Sequence, residues 1–208
     1  MTYLPLFPLN LVAFPGETLN LHVFEERYKE LVSECIAQET PFGVPAYVDE
    51  QLSYGTEVMV TEVVEKYEDG RMDITTQATR AFRLLSFDNP VDGKLYAGGE
   101  VQFLENEFDA DEHLRPEMIA LIRELFSVIS MVDRIEVAAD IISFDVAHKI
   151  GMSLQQRYAL LQIERESERQ QVIIQHLRDT IPVLREMEAT KDRIRMNGHF
   201  RKFDPLDF

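Results

Sequence analysis

The stretch Val58-Met59-Val60-Thr61-Glu62-Val63-Val64-Glu65-Lys66-Tyr67, followed by Glu68-Asp69-Gly70 and then Arg71-Met72-Asp73-Ile74-Thr75-Thr76, decides the fold class. Its first arm is rich in β-branched residues, which favour extended backbone. Asp69-Gly70 is the dipeptide that best tolerates the positive φ angles of a tight hairpin turn. Beyond it Met72, Ile74 and Thr76 alternate with Arg71, Asp73 and Thr75, the pattern of a strand with one buried face. The pair reads as a β-hairpin.

Working outward, Arg80 to Phe87 reads as a further strand, and Asp88-Asn89-Pro90 with Asp92-Gly93 as a loop. Leu95, Ala97, Gly99, Val101 and Phe103 then form a last alternating face, in which Gly98-Gly99 marks a bulge or a close backbone approach. Upstream, Glu25 to Gln38 carries Tyr28, Leu31, Val32, Cys35 and Ile36 at helical spacing, and Thr40-Pro41 ends that helix. Residues 3–24 are short extended pieces punctuated by Pro5, Pro8 and Pro15, with a turn at Pro15-Gly16. Short antiparallel strands around one helix predict a small barrel or a folded sheet.

The second half changes period. Glu105 to Glu112 is acidic and polar, so residues 105–113 read as a linker between a β-rich domain at 1–104 and a helical bundle at 114–208. Arg115-Pro116-Glu117 opens a helix with proline and an acid in its first turn. Met118, Leu121, Ile122, Leu125, Ile129 and Val132 make its apolar stripe. A second helix is expected from about Ile135 to Ile150, stopped by Gly151. Ser153 to Gln156 fits the capping box of a third, and Ser167 to Gln170 repeats that signature before the last and longest helix. Along this helix Ile173, Leu177, Ile181, Leu184 and Met187 share a face, and Pro182 is expected to kink it. The fold class is therefore α+β, a barrel followed by a helical bundle.

Composition excludes several function classes. The chain has 208 residues, 45% hydrophobic, enough to bury a core. No apolar run approaches a membrane span, and the amino terminus lacks the pattern of a signal peptide. The single cysteine excludes a disulfide framework and any multi-cysteine metal site. A cytoplasmic location is the expectation. The net charge is −16, and residues 1–104 hold 7 Lys/Arg against 17 Asp/Glu. Such a surface repels phosphate backbones and argues against a nucleic-acid partner. Only the tail from Arg185 to Lys202 is locally basic.

Reactive constellations are not apparent. The histidines, at 22, 113, 148, 176 and 199, lack the i, i+4 spacing of a helical zinc pair. His22 and Glu25 read as a strand-to-helix junction, with His22 bonding backbone, rather than as half of a metal site. Cys35 falls on an apolar helix face, where a buried, inert thiol is expected. No Gly-x-Ser-x-Gly elbow occurs. The expectation is a protein without catalytic residues, cofactor or metal. Aromatic residues offer more, since Phe14, Tyr47 and Tyr54 lie in segments read as loops. Either they stay exposed and grip apolar segments of another chain, or they fold back on the barrel.

The string Leu4-Pro5-Leu6-Phe7-Pro8-Leu9, then Phe14-Pro15-Gly16, then Leu19 to Tyr28, resembles the opening of the Lon protease amino-terminal domain. The likeness continues through Phe42-Gly43-Val44, Gly55-Thr56, Asp69-Gly70 and Arg80-Ala81-Phe82-Arg83. It departs at Ala78, near where the family commonly has glycine, and at Asn20, where proline is usual. Ser153 to Leu161 and Ser167 to Arg195 are similar to the paired helices that follow in Lon proteases. The resemblance implies a PUA-like β-barrel with trailing helices and a role in recognising protein substrates. No Gly-x-x-x-x-Gly-Lys phosphate loop occurs, and the sequence reaches Phe208 without an ATPase or a serine–lysine peptidase region. The expectation is thus a stand-alone, non-catalytic module for unfolded or degron-bearing polypeptides, an adaptor or holdase. The alternative is a PUA-like small-molecule or RNA binder. Self-association through the long last helix stays open.

Overall fold

The computed structural model describes residues 1–129, 138 and 142–198. Strands β1 (Thr2–Leu6) and β2 (Thr18–Val23) precede helix α1 (Glu26–Gln38), and β3 (Phe42–Val48), β4 (Gln51–Lys66), β5 (Met72–Leu84) and β6 (Ala97–Phe103) follow it. Then come helices α2 (Arg115–Val128), α3 (Ser143–Ala147), α4 (Leu154–Leu161) and α5 (Glu166–Gly198). The strand order is β2-β5-β4-β3-β1-β6, and an added β5–β6 pairing closes the ring. β1 runs parallel to β3 while every other pairing is antiparallel. The result is a closed mixed barrel of β1, β3, β4, β5 and β6 with β2 laid on its flank. The expected barrel followed by helices is the observed architecture.

The hairpin forms as its turn chemistry requires. Gly70 has φ 82°, and its amide donates to the Tyr67 carbonyl at 3.0 Å. One expectation is corrected here: the strands read at Arg71–Thr76 and Arg80–Phe87 are a single strand of 13 residues, β5. Gln77-Ala78-Thr79 contains no turn residue, and the long strand serves two neighbours. Its first half pairs with β2 and its end, Phe82 to Leu84, pairs with β6. Register shifts at Glu57/Val58, Val60/Glu62 and Val63/Glu65 let β4 bend along it.

The residues that carry the family likeness converge at the barrel's centre. Phe82 is fully buried with Leu4, Leu6, Ala97 and Val101. A Cβ at Gly55 would lie 2.4 Å from the Pro45 Cα and 2.8 Å from the Phe82 ring. One at Gly43 would sit 3.1 Å from the same ring, so both glycines make room for it. Gly99 would meet the Ser86 carbonyl oxygen at 2.1 Å, the close backbone approach expected there. Thr56 donates its hydroxyl to the Ala13 carbonyl at 2.6 Å and so ties the entering segment to β4.

Helix α1 covers a second core. Its Tyr28, Leu31, Val32 and Cys35 pack with Val23, Phe42, Val58, Met72 and Ile74. Each such aliphatic side chain, fully buried, contributes roughly 1.5–3 kcal/mol. The third core is shared. Val12, Phe14, Ala46, Val48 and Ala81 of the barrel join Met118, Ile122, Leu125, Phe144, Leu160, Ile173 and Leu177 of the helices.

Residues 105–111 run along the start of α5. The Glu107 amide donates to the Glu164 carbonyl at 2.9 Å, and the Glu166 amide to the Glu107 carbonyl at 3.0 Å. Ser153 and Gln156 form the expected capping box, with reciprocal bonds of 3.2 and 2.8 Å. Ser167 and Gln170 do not. Because α5 starts at Glu166, Ser167 already lies in its first turn, and its amide and hydroxyl donate to Asp109 at 3.1 and 2.9 Å. The Gln170 side-chain oxygen accepts from the Asp111 amide at 2.7 Å. The cap of this helix therefore comes from a residue far away in sequence.

The start of the helix expected at Ile135, and Val132 of the preceding stripe, lie outside the described residues. The described remainder is α3 and a turn ending at Gly151, whose φ of 78° is the left-handed geometry expected of it. Helix α5 runs continuously across Pro182. Its Ile173, Leu177 and Ile181 are buried, whereas Met187 is exposed. The buried half is where α2 lies, joined by ion pairs of Glu117 with Arg178 and Glu124 with Arg185.

Candidate functional site

The three aromatic residues singled out from the sequence do not form one surface. Phe14 is 0% exposed, stacked on Phe144 at 5.2 Å between ring centroids. It is part of the core shared by barrel and helices, so of its two readings the exposed loop contact is ruled out and the folded-back one remains. Sequence could not place the helices that cover it. Tyr54 is half-buried and meets Tyr158 of α4 edge-on at 6.0 Å. Tyr47 alone faces outward, 47% exposed, because its neighbours Ala46 and Val48 take the inward positions of β3.

A different apolar surface arises from strand lengths. β3 begins at Phe42, opposite Val58, but β4 continues to Lys66. Among the described residues no strand pairs with the edge of Met59–Lys66 that faces away from β5. The last turn of α1 lies beside this edge, and between them runs a groove of about 460 Å³. Cys35, Ile36, Glu39 and Thr40 line one side, and Met59, Val60, Thr61, Glu62 and Val63 the other. Ile36, Met59 and Val63 are 37%, 36% and 41% exposed, so three large apolar side chains meet solvent together. Glu39 turns the chain away from α1 in the left-handed conformation, φ 53°, with the Thr40 amide donating to the Cys35 carbonyl at 3.0 Å.

An unpaired strand edge exposes backbone donors and acceptors that another extended chain can match. Two of the β4 register shifts, at Val60/Glu62 and Val63/Glu65, fall within it and twist it. Flat edge-to-edge stacking of copies is thereby discouraged, while one short segment can still be admitted. Cys35 is buried beneath the groove, and burial pushes its thiol up to about 11, so it is no nucleophile near neutral pH. The sequence carried one signal of this site: Ile36 extends the apolar face of α1 beyond what the core needs.

His22 and Glu25 are each accounted for by pairing with a neighbouring side chain. His22 Nδ1 donates to Asp73 Oδ1 at 2.6 Å, rather than bonding backbone as expected, and Tyr67 donates to the other Asp73 oxygen at 2.7 Å. The cause is cross-strand register: His22 of β2 stands opposite Asp73 of β5. Glu25 stands at the N-cap position of α1, and its side chain pairs with Arg27 at 2.7 Å rather than capping the helix. Among the described residues no three His, Cys, Asp or Glu side chains cluster to hold a metal ion. A wider cleft of about 700 Å³ beside α1 sets Lys29, Lys66 and Lys94 against Glu26, Glu30 and Asp69, which leaves it without a net sign. No helix among the described residues is long and apolar enough to cross a membrane.

Comparison with known proteins places this architecture. Residues 3–179 match the model of the ATP-dependent protease La (LON) substrate-binding domain. A crystal structure of a Lon N-terminal domain protein from Xanthomonas campestris is similar at 30% identity and a TM-score of 0.65, covering 82% of this chain and 96% of that one. The N-terminal domain of the Mycobacterium avium complex Lon protease shares the fold at 15% identity, with a TM-score of 0.64 and coverage of 86% and 99%. No curated protein matches the chain.

Proposed function

The chain belongs to the ATP-dependent protease La (LON) substrate-binding domain family, and from that premise we propose that it captures extended segments of unfolded or degron-bearing polypeptides in the groove between α1 and β4. The observation that carries this reading is the meeting of Ile36, Met59 and Val63 on a strand edge that has no partner among the described residues. A client segment aligns beside β4 and exchanges backbone hydrogen bonds with it. Its alternate side chains enter the apolar groove. Main-chain pairing supplies affinity without demanding one sequence, which suits a recogniser of many unfolded chains. Tyr47 is a second apolar contact on the barrel surface. No step alters a covalent bond. The role is an adaptor or holdase, delivering or shielding a client, and the acidic surface keeps the free protein soluble.

The test is binding of a fluorescently labelled, permanently unfolded polypeptide by anisotropy. The double variant Met59→Glu/Val63→Glu places charge on two exposed positions and is expected to weaken binding at least tenfold while keeping the wild-type circular dichroism spectrum and melting temperature. Tyr47→Ala is expected to weaken it less. Wild-type affinity in the folded double variant would overturn the location.

A further inference from the structure

We infer that the groove selects segments in which an apolar residue is flanked by cations, so that the preferred client is a basic-apolar extended peptide. This rests on the polypeptide-binding reading above and adds a charge sign to it. The groove that presents Ile36, Met59 and Val63 also carries two carboxylates, Glu39 at the end of α1 and Glu62 on β4. No lysine or arginine lines the groove. Among the described residues neither Glu39 nor Glu62 takes part in an ion pair or accepts a side-chain hydrogen bond, whereas Glu26, Glu34 and Glu57 are each matched by a cation. These two are exposed carboxylates left without a counterion beside a surface built to take a chain.

Their placement suits a segment lying along β4. Glu62 is on the strand itself, three residues from Met59, and Glu39 faces it across the groove from the helix end. A client side chain that enters the groove beside Ile36 and Val63 therefore meets one carboxylate from each wall, to which neighbouring lysines or arginines of the client can pair. An anionic segment meets repulsion from both, reinforced by the net charge of −16 on the whole chain. Exposed ion pairs contribute little one at a time, so two of them set a preference of about 3- to 10-fold rather than an absolute choice. Such pairs are screened, and the preference should fade as the Debye length falls from about 10 Å at 0.1 M salt to about 3 Å at 1 M.

The experiment compares two labelled ten-residue peptides with the same central leucine and valine, one flanked by lysines and one by glutamates, titrated by anisotropy at low and high salt. The lysine peptide is expected to bind 3- to 10-fold more tightly at low salt, and Glu39→Lys/Glu62→Lys is expected to cancel or invert that order. A control, Glu186→Lys/Glu188→Lys on α5, makes the same change in net charge away from the groove and is expected to keep it. If both double variants shift the order equally, overall charge rather than the groove selects, and the inference is overturned. Equal binding of both peptides to the wild type overturns it as well while leaving polypeptide capture intact. Failure of both peptides and of the unfolded polypeptide overturns the two readings together.

Discussion

Replacing Arg169 with methionine should destabilise the fold by about 4 kcal/mol. Arg169 is 1% exposed, and its guanidinium makes four hydrogen bonds. Nε donates to Glu166 Oε2 at 2.9 Å, Nη1 to the carbonyls of Ile163 and Glu164 at 2.8 and 3.1 Å, and Nη2 to Asn106 Oδ1 at 2.6 Å. The same group lies 4.1 Å above the ring of Phe144. Glu166 is itself buried, its other oxygen accepting from the amide and hydroxyl of Ser143, both at 2.8 Å. One side chain thus ties together the segment after β6, α3, the α4–α5 connection and α5.

Methionine keeps much of the volume but leaves the Glu166 carboxylate without its counterion and takes the guanidinium donor from the Ile163 carbonyl and Asn106 Oδ1, while the Glu164 carbonyl keeps the Glu107 amide. Breaking one side of a buried pair costs about 3–5 kcal/mol, and most of that comes from the stranded charge. At about 2–4 °C per kcal/mol for a chain of this size, a loss of about 4 kcal/mol lowers the melting temperature by about 8–16 °C. Urea melts followed by circular dichroism at 222 nm measure the free-energy loss, and thermal scans the shift in melting temperature. The companion variant Arg169→Met/Glu166→Gln removes the stranded charge and should recover about 2 kcal/mol of the deficit. A cost below about 1 kcal/mol for the single variant, or simple additivity of the two changes, would refute the account.

Further outcomes follow from the same geometry. Asp109 is held down to about 2, first by the Ser167 backbone amide and then by the Ser167 hydroxyl and Arg165. A carboxylate depressed below its unfolded value of about 3.9 stabilises the fold above that pH and loses its effect as pH falls toward 2. The melting-temperature gap between wild type and Asp109→Asn should therefore narrow between pH 5 and pH 2, and a constant gap would count against the cap. Cys35, pushed up to about 11 by burial, should resist iodoacetamide at pH 8 until urea unfolds the protein; rapid labelling of the native chain, read by mass spectrometry, would contradict its placement. Phe14→Ala should cost about 3–5 kcal/mol of stability, seen as an early thermal transition, whereas a surface residue would leave the melt unchanged.

Much of the fold was readable because its signals are local. Asp69-Gly70 dictates its turn through backbone sterics, Ser153 and Gln156 satisfy one another's amides within one helical turn, and the apolar spacing of α1 shows which face it buries. The misreadings share one cause. Ser167 carries the cap signature of a helix start, yet its hydrogen bonds go to Asp109, a partner no local pattern names. Phe14 beside Pro15-Gly16 has the sequence of an exposed loop aromatic, yet helices drawn from the other end of the chain close over it. Gln77 to Thr79 was no break between strands, because β2 and β6 share β5 from either end.

The residues in order therefore determined the hairpin, the first helix and the barrel-then-helix sequence, since each depends on steric or hydrogen-bonding demands within a short reach or on a pattern shared with a family. Tertiary structure alone decided where the groove proposed for a client chain lies. The groove exists because β3 begins opposite Val58 while β4 runs on to Lys66 beside the end of α1. That offset is a register between separate segments, settled only when the barrel closes.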